Sequence, residues 1–184
     1  MLHLHFNLTE AEYFDYNYYT AWAAPERKNY RIGYYLKVLV LYGAVAGLYV
    51  FANKNHQRLF DILVFACIAL FYVALIPFLV KRSVKRRAKQ IIAQPENKHI
   101  LSECEVILMD TGIVDKDKET ESKYNWDAIV KTGETPNSYF LYTNSYHAIV
   151  IPKRTLKNPG DKKELLRLMN EHLPLNADFR EGKL

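Results

Sequence analysis

Four groups of residues in this 184-residue chain have types and spacings that could do chemistry or mediate contact. His3 and His5 stand two apart in an alternating stretch, so both imidazoles share one strand face, a spacing that can hold zinc once further ligands arrive. Nothing in the sequence brings His147, Cys104 or a carboxylate to them, and a solvated strand face accounts for the pair, so no metal site is expected. Lys153 and Arg154, with Lys131, could form a basic rim facing a membrane or an acidic partner. The competing role is structural, with Glu134 pairing Lys153 across neighbouring strands for roughly 0.2–1 kcal/mol. Lys81, Arg82, Lys85, Arg86, Arg87 and Lys89 put six cations into nine residues, enough to attract anionic lipid at about 1 kcal/mol each. Gly43 and Gly47 form a GxxxG spacing that allows close helix approach, either within a hairpin or between two copies of the chain.

Other chemistry has no local signature. There is no GxxxxGK[ST] or GxGxxG loop to cradle phosphate, no HExxH, no CxxC and no G-x-S-x-G. Carboxylates cluster only between residues 115 and 121, where DKDKETESK (115–123) is expected to be a charged, solvated hairpin tip and a poor setting for shifted pKa values. No enzyme and no cofactor are expected. The excess of 25 Lys+Arg over 20 Asp+Glu gives only +5, too little for a chain that works on nucleic acid. Two cysteines, Cys67 and Cys104, make no disulfide framework.

The elements that must position these residues are legible from periodicity. Tyr34 to Ala52 and Ile62 to Val80 are each about 19 residues of nearly continuous apolar sequence, enough at 1.5 Å per residue for the roughly 30 Å hydrocarbon core. The second contains no charged residue, Asn or Gln, so it lacks the polar stripe of a soluble helix. The short link Asn53–Asp61 forces a hairpin. Arg27, Lys28 and Arg31 before it and the six cations after it outnumber Lys54 and Arg58 in the link, which places both termini in the cytoplasm. The first 30 residues lack the apolar stretch of a cleavable signal peptide. Pro77 is expected to bend the second helix, and helix is expected to persist through the basic run to about Ala93.

The remainder reads as β with helical ends. LHLHFNL (2–8) alternates as a half-buried strand, and Thr9 with Glu12 forms a capping box that starts an aromatic helix. That helix, carrying Tyr13, Phe14, Tyr16, Tyr18, Tyr19 and Trp22, would either lie on the inner membrane surface or pack on the cytoplasmic domain. Strands are expected at Glu103–Met109, from Ile113, within Trp126–Glu134, at Tyr139–Tyr142 and at Ala148–Ile151. An amphipathic helix is expected over Asp161–His172. The N-terminal strand must join this sheet, since alone its backbone groups would be unpaired. Short antiparallel strands closed by a C-terminal helix are the element order of pleckstrin-homology-like (PH-like) domains.

Four features in order resemble the YcxB-like proteins, bacterial membrane proteins. They are the strand leading into Leu8-Thr9-x-x-x-x-Tyr13, the hairpin, Trp126-x-x-Ile129 with Glu134, and Tyr139-x-x-Tyr142 running on to Ala148-Ile149-Val150-Ile151-Pro152-Lys153-Arg154. The resemblance implies an α+β membrane protein: a two-helix transmembrane hairpin plus a small PH-like antiparallel β-barrel or sandwich capped by a C-terminal helix. It carries no catalytic residue or cofactor, and its signature positions Trp126, Glu134 and Lys153 could serve fold or binding. The expected organisation is strand and interfacial helix over 1–33, hairpin over 34–80, basic stalk over 81–100, PH-like domain over 101–175 and tail over 176–184. The expected function is a non-catalytic binding or scaffold module of the bacterial inner membrane, whose partners are membrane lipids and another membrane or membrane-proximal protein, with a homodimer as one arrangement and no nucleic acid. The alternative is a small subunit of a transport or envelope-maintenance complex acting through its hairpin.

Overall fold

The computed structural model describes residues 1–53 and 57–173; Lys54 of the link and the tail 176–184 lie outside the described residues. The described residues form seven strands in two antiparallel sheets and four α-helices, and the chain divides into two compact units, Met1–Thr20 with Arg86–Leu184, and Ala21–Lys85.

In the first unit, β1 (Leu2–Asn7), β2 (Glu103–Met109), β3 (Gly112–Asp117) and β4 (Glu121–Tyr124) form one sheet in that order. Leu2, Leu4 and Phe6 alternate inward with His3 and His5 exposed, so the period-2 pattern is realised. β1 pairs with β2, placing Leu4 opposite Val106 and Phe6 opposite Cys104. β2 and β3 join through Asp110-Thr111, and Gly112 takes φ +153°, where a Cβ would lie 2.5 Å from the Tyr124 carbonyl oxygen. Only glycine accommodates both demands.

The second sheet comprises β5 (Lys131–Glu134), β6 (Ser138–Tyr142) and β7 (Ala148–Pro152). β6 is buried along its whole length, because its two faces meet different layers. Tyr139 and Leu141 face a core shared with Leu4, Val106, Leu108 and Ile113 of the first sheet and with Leu165, Leu168 and Met169 of α4 (Pro159–His172). Phe140 and Tyr142 face α1 (Glu10–Tyr18). The two sheets do not close into a barrel, which corrects that part of the expected architecture: β4 and β5 share no ladder. Residues 126–128 form a 3-10 turn between them rather than continuing a strand. Trp126 is buried there, donates from Nε1 to the Met109 carbonyl at 2.8 Å and stacks on the His172 ring.

Both capping boxes close. Thr9 and Glu12 cap α1 reciprocally, and Asn158 with Asp161 caps α4, satisfying backbone donors that a helix start leaves orphaned. α1 continues into a π-helical turn over Tyr19–Ala23. Tyr16 and Tyr19 pack on Phe140 with ring centroids 5.8 and 5.3 Å apart, and the Thr20 and Tyr142 hydroxyls hydrogen-bond at 2.7 Å. Of the two expected places for these aromatic residues, sheet packing holds for Tyr16 and Tyr19. Gly133 permits it, since a Cβ there would stand 2.5 Å from Cε1 of Tyr19.

The second unit is dominated by α2 (Lys28–Ala52) and the greater part of α3 (Arg58–Ile92). Both helices are long and apolar enough to cross a membrane, and only 0% and 6% of their most apolar windows is buried. A core helix of a soluble protein would have that surface covered. α3 starts at Arg58, so the link is shorter than expected, and it runs without a break through the basic stretch to Ile92. Asn53 donates to the Asp61 carboxylate at 3.1 Å. The hairpin packs through Tyr42 and Tyr49, whose rings flank Phe65 at 6.0 and 5.4 Å. Trp22 is buried edge-on against Tyr30 and Tyr34, and Arg31 donates to the Trp22 and Ala24 carbonyls at 2.5 and 3.0 Å.

Candidate functional site

The alternation that builds the core of the first sheet does not stop where the core does. In β3, Ile113 points into the core, and period 2 carries Asp115 and Asp117 onto the same face. Register sets Ser122, Asp115, Val106 and Leu4 in one row across the sheet, and Asp117, Cys104 and Phe6 in the next. At this end of the sheet the inner face turns from apolar to polar. α1, the 3-10 segment Pro95–Leu101 and β7 stand around it, enclosing a cleft of about 450 Å³. Its floor is Phe6, Val106 and Ile149; its polar lining includes Asp115, Asp117, His99, His147 and Ser122; Tyr13, Tyr16 and Tyr124 contribute aromatic walls.

The electrostatics of the cleft follow from what each group touches. Burial pushes the Asp115 carboxyl above its ordinary value, with Asp117 adding to the rise and the His147 imidazole opposing it. Asp117 is also raised by burial, but the backbone N–H groups of Glu119 and Thr120 donate to it at 2.7 and 2.6 Å and bring it below the usual carboxylate range. Burial pushes the Cys104 thiol up to about 12, with the Asp115 and Asp117 carboxylates adding to it; the thiol donates to the Phe6 carbonyl at 3.2 Å. His147 Nδ1 lies 3.1 Å from the Thr143 hydroxyl, and His99 Nδ1 lies 3.0 Å from the Glu96 carbonyl. Tyr16 donates to the Tyr146 carbonyl.

This corrects the expected solvated tip at residues 115–123. The turn that joins β3 to β4 is confined to residues 118–120, while Asp115 and Asp117 are half-buried strand residues. A signal was present in the sequence, in the parity of Ile113, Asp115 and Asp117, but the density of charge in DKDKETESK hid it.

The residues singled out from sequence are dispersed. Lys153 pairs with Glu134 at 2.5 Å and lies 4.7 Å over the Tyr139 ring. The expected pair therefore forms, although β6 lies between the two strands that were expected to be neighbours. Lys131 sits 4.3 Å over the Tyr142 ring. Arg154 binds Glu12 through Nε at 2.6 Å and Nη2 at 2.9 Å, and donates to the Asn7 carbonyl at 2.6 Å. All three cations thus have partners within the fold. Lys81, Arg82, Lys85, Arg86, Arg87 and Lys89 are exposed along α3. Gly43 and Gly47 do not pack against α3: a Cβ at either would meet nothing within 4 Å, because the hairpin uses the Tyr42 and Tyr49 face instead. Beside Gly47, a groove of about 360 Å³ is lined by Ala46, Val50, Ile62 and Phe65, with Arg58 on its wall.

His3 pairs with Glu105, and His5 lies 3.4 Å from Glu103. Among the described residues, one group of ligand-type atoms does converge, on Asp110, Glu171 and His172, all within 4.8 Å of one another. Arg167 already donates to Asp110 at 2.9 Å and to Glu171 at 2.5 Å, so the chain supplies a cation of its own there.

No curated protein and no solved structure matches the chain. A family model does match, over the segment that runs from the end of β2 into α4, taking in β3 and β4 with the cleft's two carboxylates, the whole second sheet and the Arg154 turn. The model is that of the YcxB-like proteins, to which residues 108–169 of this chain are similar.

Proposed function

We propose that this chain is a membrane-anchored, non-catalytic binding module of the bacterial inner membrane, with a PH-like domain on the cytoplasmic side and the cleft as its binding site. The observation that carries this reading is the character of the cleft. Polar groups converge over an apolar floor, as binding pockets of this size do, while the groups best suited to chemistry are tied down. The Cys104 thiol, pushed up to about 12, holds almost no thiolate at neutral pH, and both imidazoles are engaged with their own turns.

The anchor is supported by two long helices whose apolar faces are uncovered, and orientation by the charge count at their ends. An antiparallel sheet of four strands, with β1 joining it from before the long helices, a second of three, and a C-terminal helix support the PH-like assignment. The exposed cations of α3 would lie in reach of anionic headgroups just inside the bilayer, each worth about 1 kcal/mol.

A second reading, a small subunit of a transport or envelope complex working through the hairpin, is favoured by the uncovered Gly43 and Gly47 face. Photoreactive residues placed at Tyr146, exposed beside the cleft, and at Leu48, exposed near Gly47, separate the two in intact membranes. The binding-module reading expects membrane retention after alkaline carbonate washing and a crosslink from position 146 that Asp115→Asn removes. A crosslink only from position 48, lost with Gly43→Leu plus Gly47→Leu, would give the function to the hairpin.

A further inference from the structure

The cleft has one property its size does not explain: setting aside the His99 and His147 imidazoles, its charged side chains are of one sign. In a chain of net charge +5, no lysine or arginine among the described residues lines the cleft, while two aspartates do. Asp117 is satisfied by the backbone of its own turn. Among the described residues, Asp115 has no hydrogen-bond donor and no ion-pair partner, although it is half-buried on the inner face of the sheet. Elsewhere in the same unit the buried carboxylate of Glu12 is paired with Arg154. Removing a carboxylate from water without a bonded counter-charge is costly, and Asp115 is the exception: the His147 imidazole acts on it electrostatically but makes neither hydrogen bond nor ion pair with it.

Tyr13, Tyr16 and Tyr124 line the same cleft. Aromatic rings attract cations, by about 0.5–2 kcal/mol depending on desolvation. This protein already uses its tyrosines so, with Lys131 over Tyr142 and Lys153 over Tyr139. The floor of Phe6, Val106 and Ile149 is apolar and suits a hydrocarbon stem.

We propose that the cleft between the two sheets binds a small organic cation, an ammonium or guanidinium on an apolar stem, with the Asp115 carboxylate as its counter-ion and tyrosines as its walls. This rests on the cleft being the binding site of the anchored module. The cation head takes the place that an arginine takes beside Glu12. Ser122, opposite Asp115 in the ladder, adds a hydroxyl that accepts a hydrogen bond from the same head. Asp117 contributes charge at longer range, since its Oδ1 is already engaged by the backbone of Glu119 and Thr120.

The test uses the full chain in nanodiscs, titrated calorimetrically with agmatine, and with 1,5-pentanediol and glutarate as neutral and anionic comparators. Saturable binding of agmatine, with neither comparator binding, is expected. Asp115→Asn should weaken it by at least about tenfold, while Glu119→Gln, on the exposed turn outside the cleft, should leave it unchanged. Ser122→Lys tethers an ammonium opposite Asp115 and should abolish agmatine binding while raising the melting temperature, which guards against misreading an unfolded Asp115 variant. Equal binding of pentanediol, agmatine binding untouched by Asp115→Asn, no binding at all, or binding of Mn²⁺ or Zn²⁺ alone in place of the amine would overturn the proposal. A chain that stays in washed membranes and gives the position 146 crosslink yet ignores agmatine would overturn the ligand class alone.

Discussion

Arg154 and Glu12, 142 positions apart in sequence, form a two-pronged ion pair with N···O distances of 2.6 and 2.9 Å. Glu12 is also the reciprocal member of the Thr9 capping box, so one carboxylate ties the start of α1 to the turn that follows β7. The guanidinium reaches the Asn7 carbonyl as well, fastening the end of β1. The helix start, the first strand and the second sheet therefore meet at a single side chain.

Replacing Arg154 with Ala should destabilise the protein by about 1–3 kcal/mol, chiefly because buried Glu12 loses its partner. The guanidinium itself is half exposed, and screening keeps the cost from being larger. Thermal melts of Arg154→Ala, Glu12→Gln and the double variant should show coupling, with the double variant less damaged than the sum. Strict additivity would show that the pair contributes nothing as a pair.

Buried Glu12 and half-buried Asp115 should give opposite pH dependences. For Glu12, burial raises the pKa, but Arg154 and the Thr9 groups outweigh it and the net shift is downward. Its stabilising contribution is present above the unfolded value near 4.5 and is lost as pH falls through the lower folded value. Asp115 is shifted upward by burial, so it penalises the fold above its raised folded pKa, and the penalty fades as pH falls from there towards 3.8. Asp115→Asn should therefore raise the melting temperature at neutral pH and lose that advantage in acid, whereas Glu12→Gln should do the reverse.

Gly112→Ala should cost more than Gly133→Ala. At both positions a Cβ would approach an existing atom to 2.5 Å. At Gly112 that atom is the Tyr124 carbonyl oxygen, fixed in the sheet, and the φ of +153° is unfavourable for alanine too. At Gly133 the obstacle is the Tyr19 ring, which can swing aside at the expense of its packing on Phe140, about 1–3 kcal/mol of overpacking. Tyr19→Ala should rescue Gly133→Ala in a melting experiment and leave Gly112→Ala unrescued.

The first strand belongs to the sheet that resumes nearly a hundred residues later, so its inward side chains are core residues. Leu4 is 4% exposed and stands opposite Val106. Leu4→Ala should cost about 2–4 kcal/mol, whereas His3→Ala, on the outer face, should cost far less. Comparable losses from the two would mean that β1 contributes no core.

Labelling should read the orientation of the hairpin. With Cys67 replaced by Ala, a cysteine at Asn55 should react with an impermeant maleimide in intact spheroplasts, and one at Glu119, on the turn between β3 and β4, should not. The reverse pattern would invert the topology.

The elements that sequence alone determined are those made by interactions a few residues long. Apolar runs, the alternation of Leu2, Leu4 and Phe6, and the Thr9–Glu12 box each depend on local periodicity or local hydrogen bonds, and each appears where expected. Glu134 with Lys153 was also legible, because only one short strand separates their elements. Tertiary structure decided the rest. Alternation places Asp115 on the same face as Ile113, but whether that face is wet or dry depends on α1 and β7 arriving above it. The GxxxG spacing allows close approach without saying which face of α2 meets α3, and the Tyr42 and Tyr49 contact with Phe65 took that role. Arg154 could have been a free basic rim, and became structural only when chain closure delivered Glu12 to it. Local chemistry sets what a segment can be; which surfaces meet depends on burial shared between segments distant in sequence, which no single stretch of residues contains.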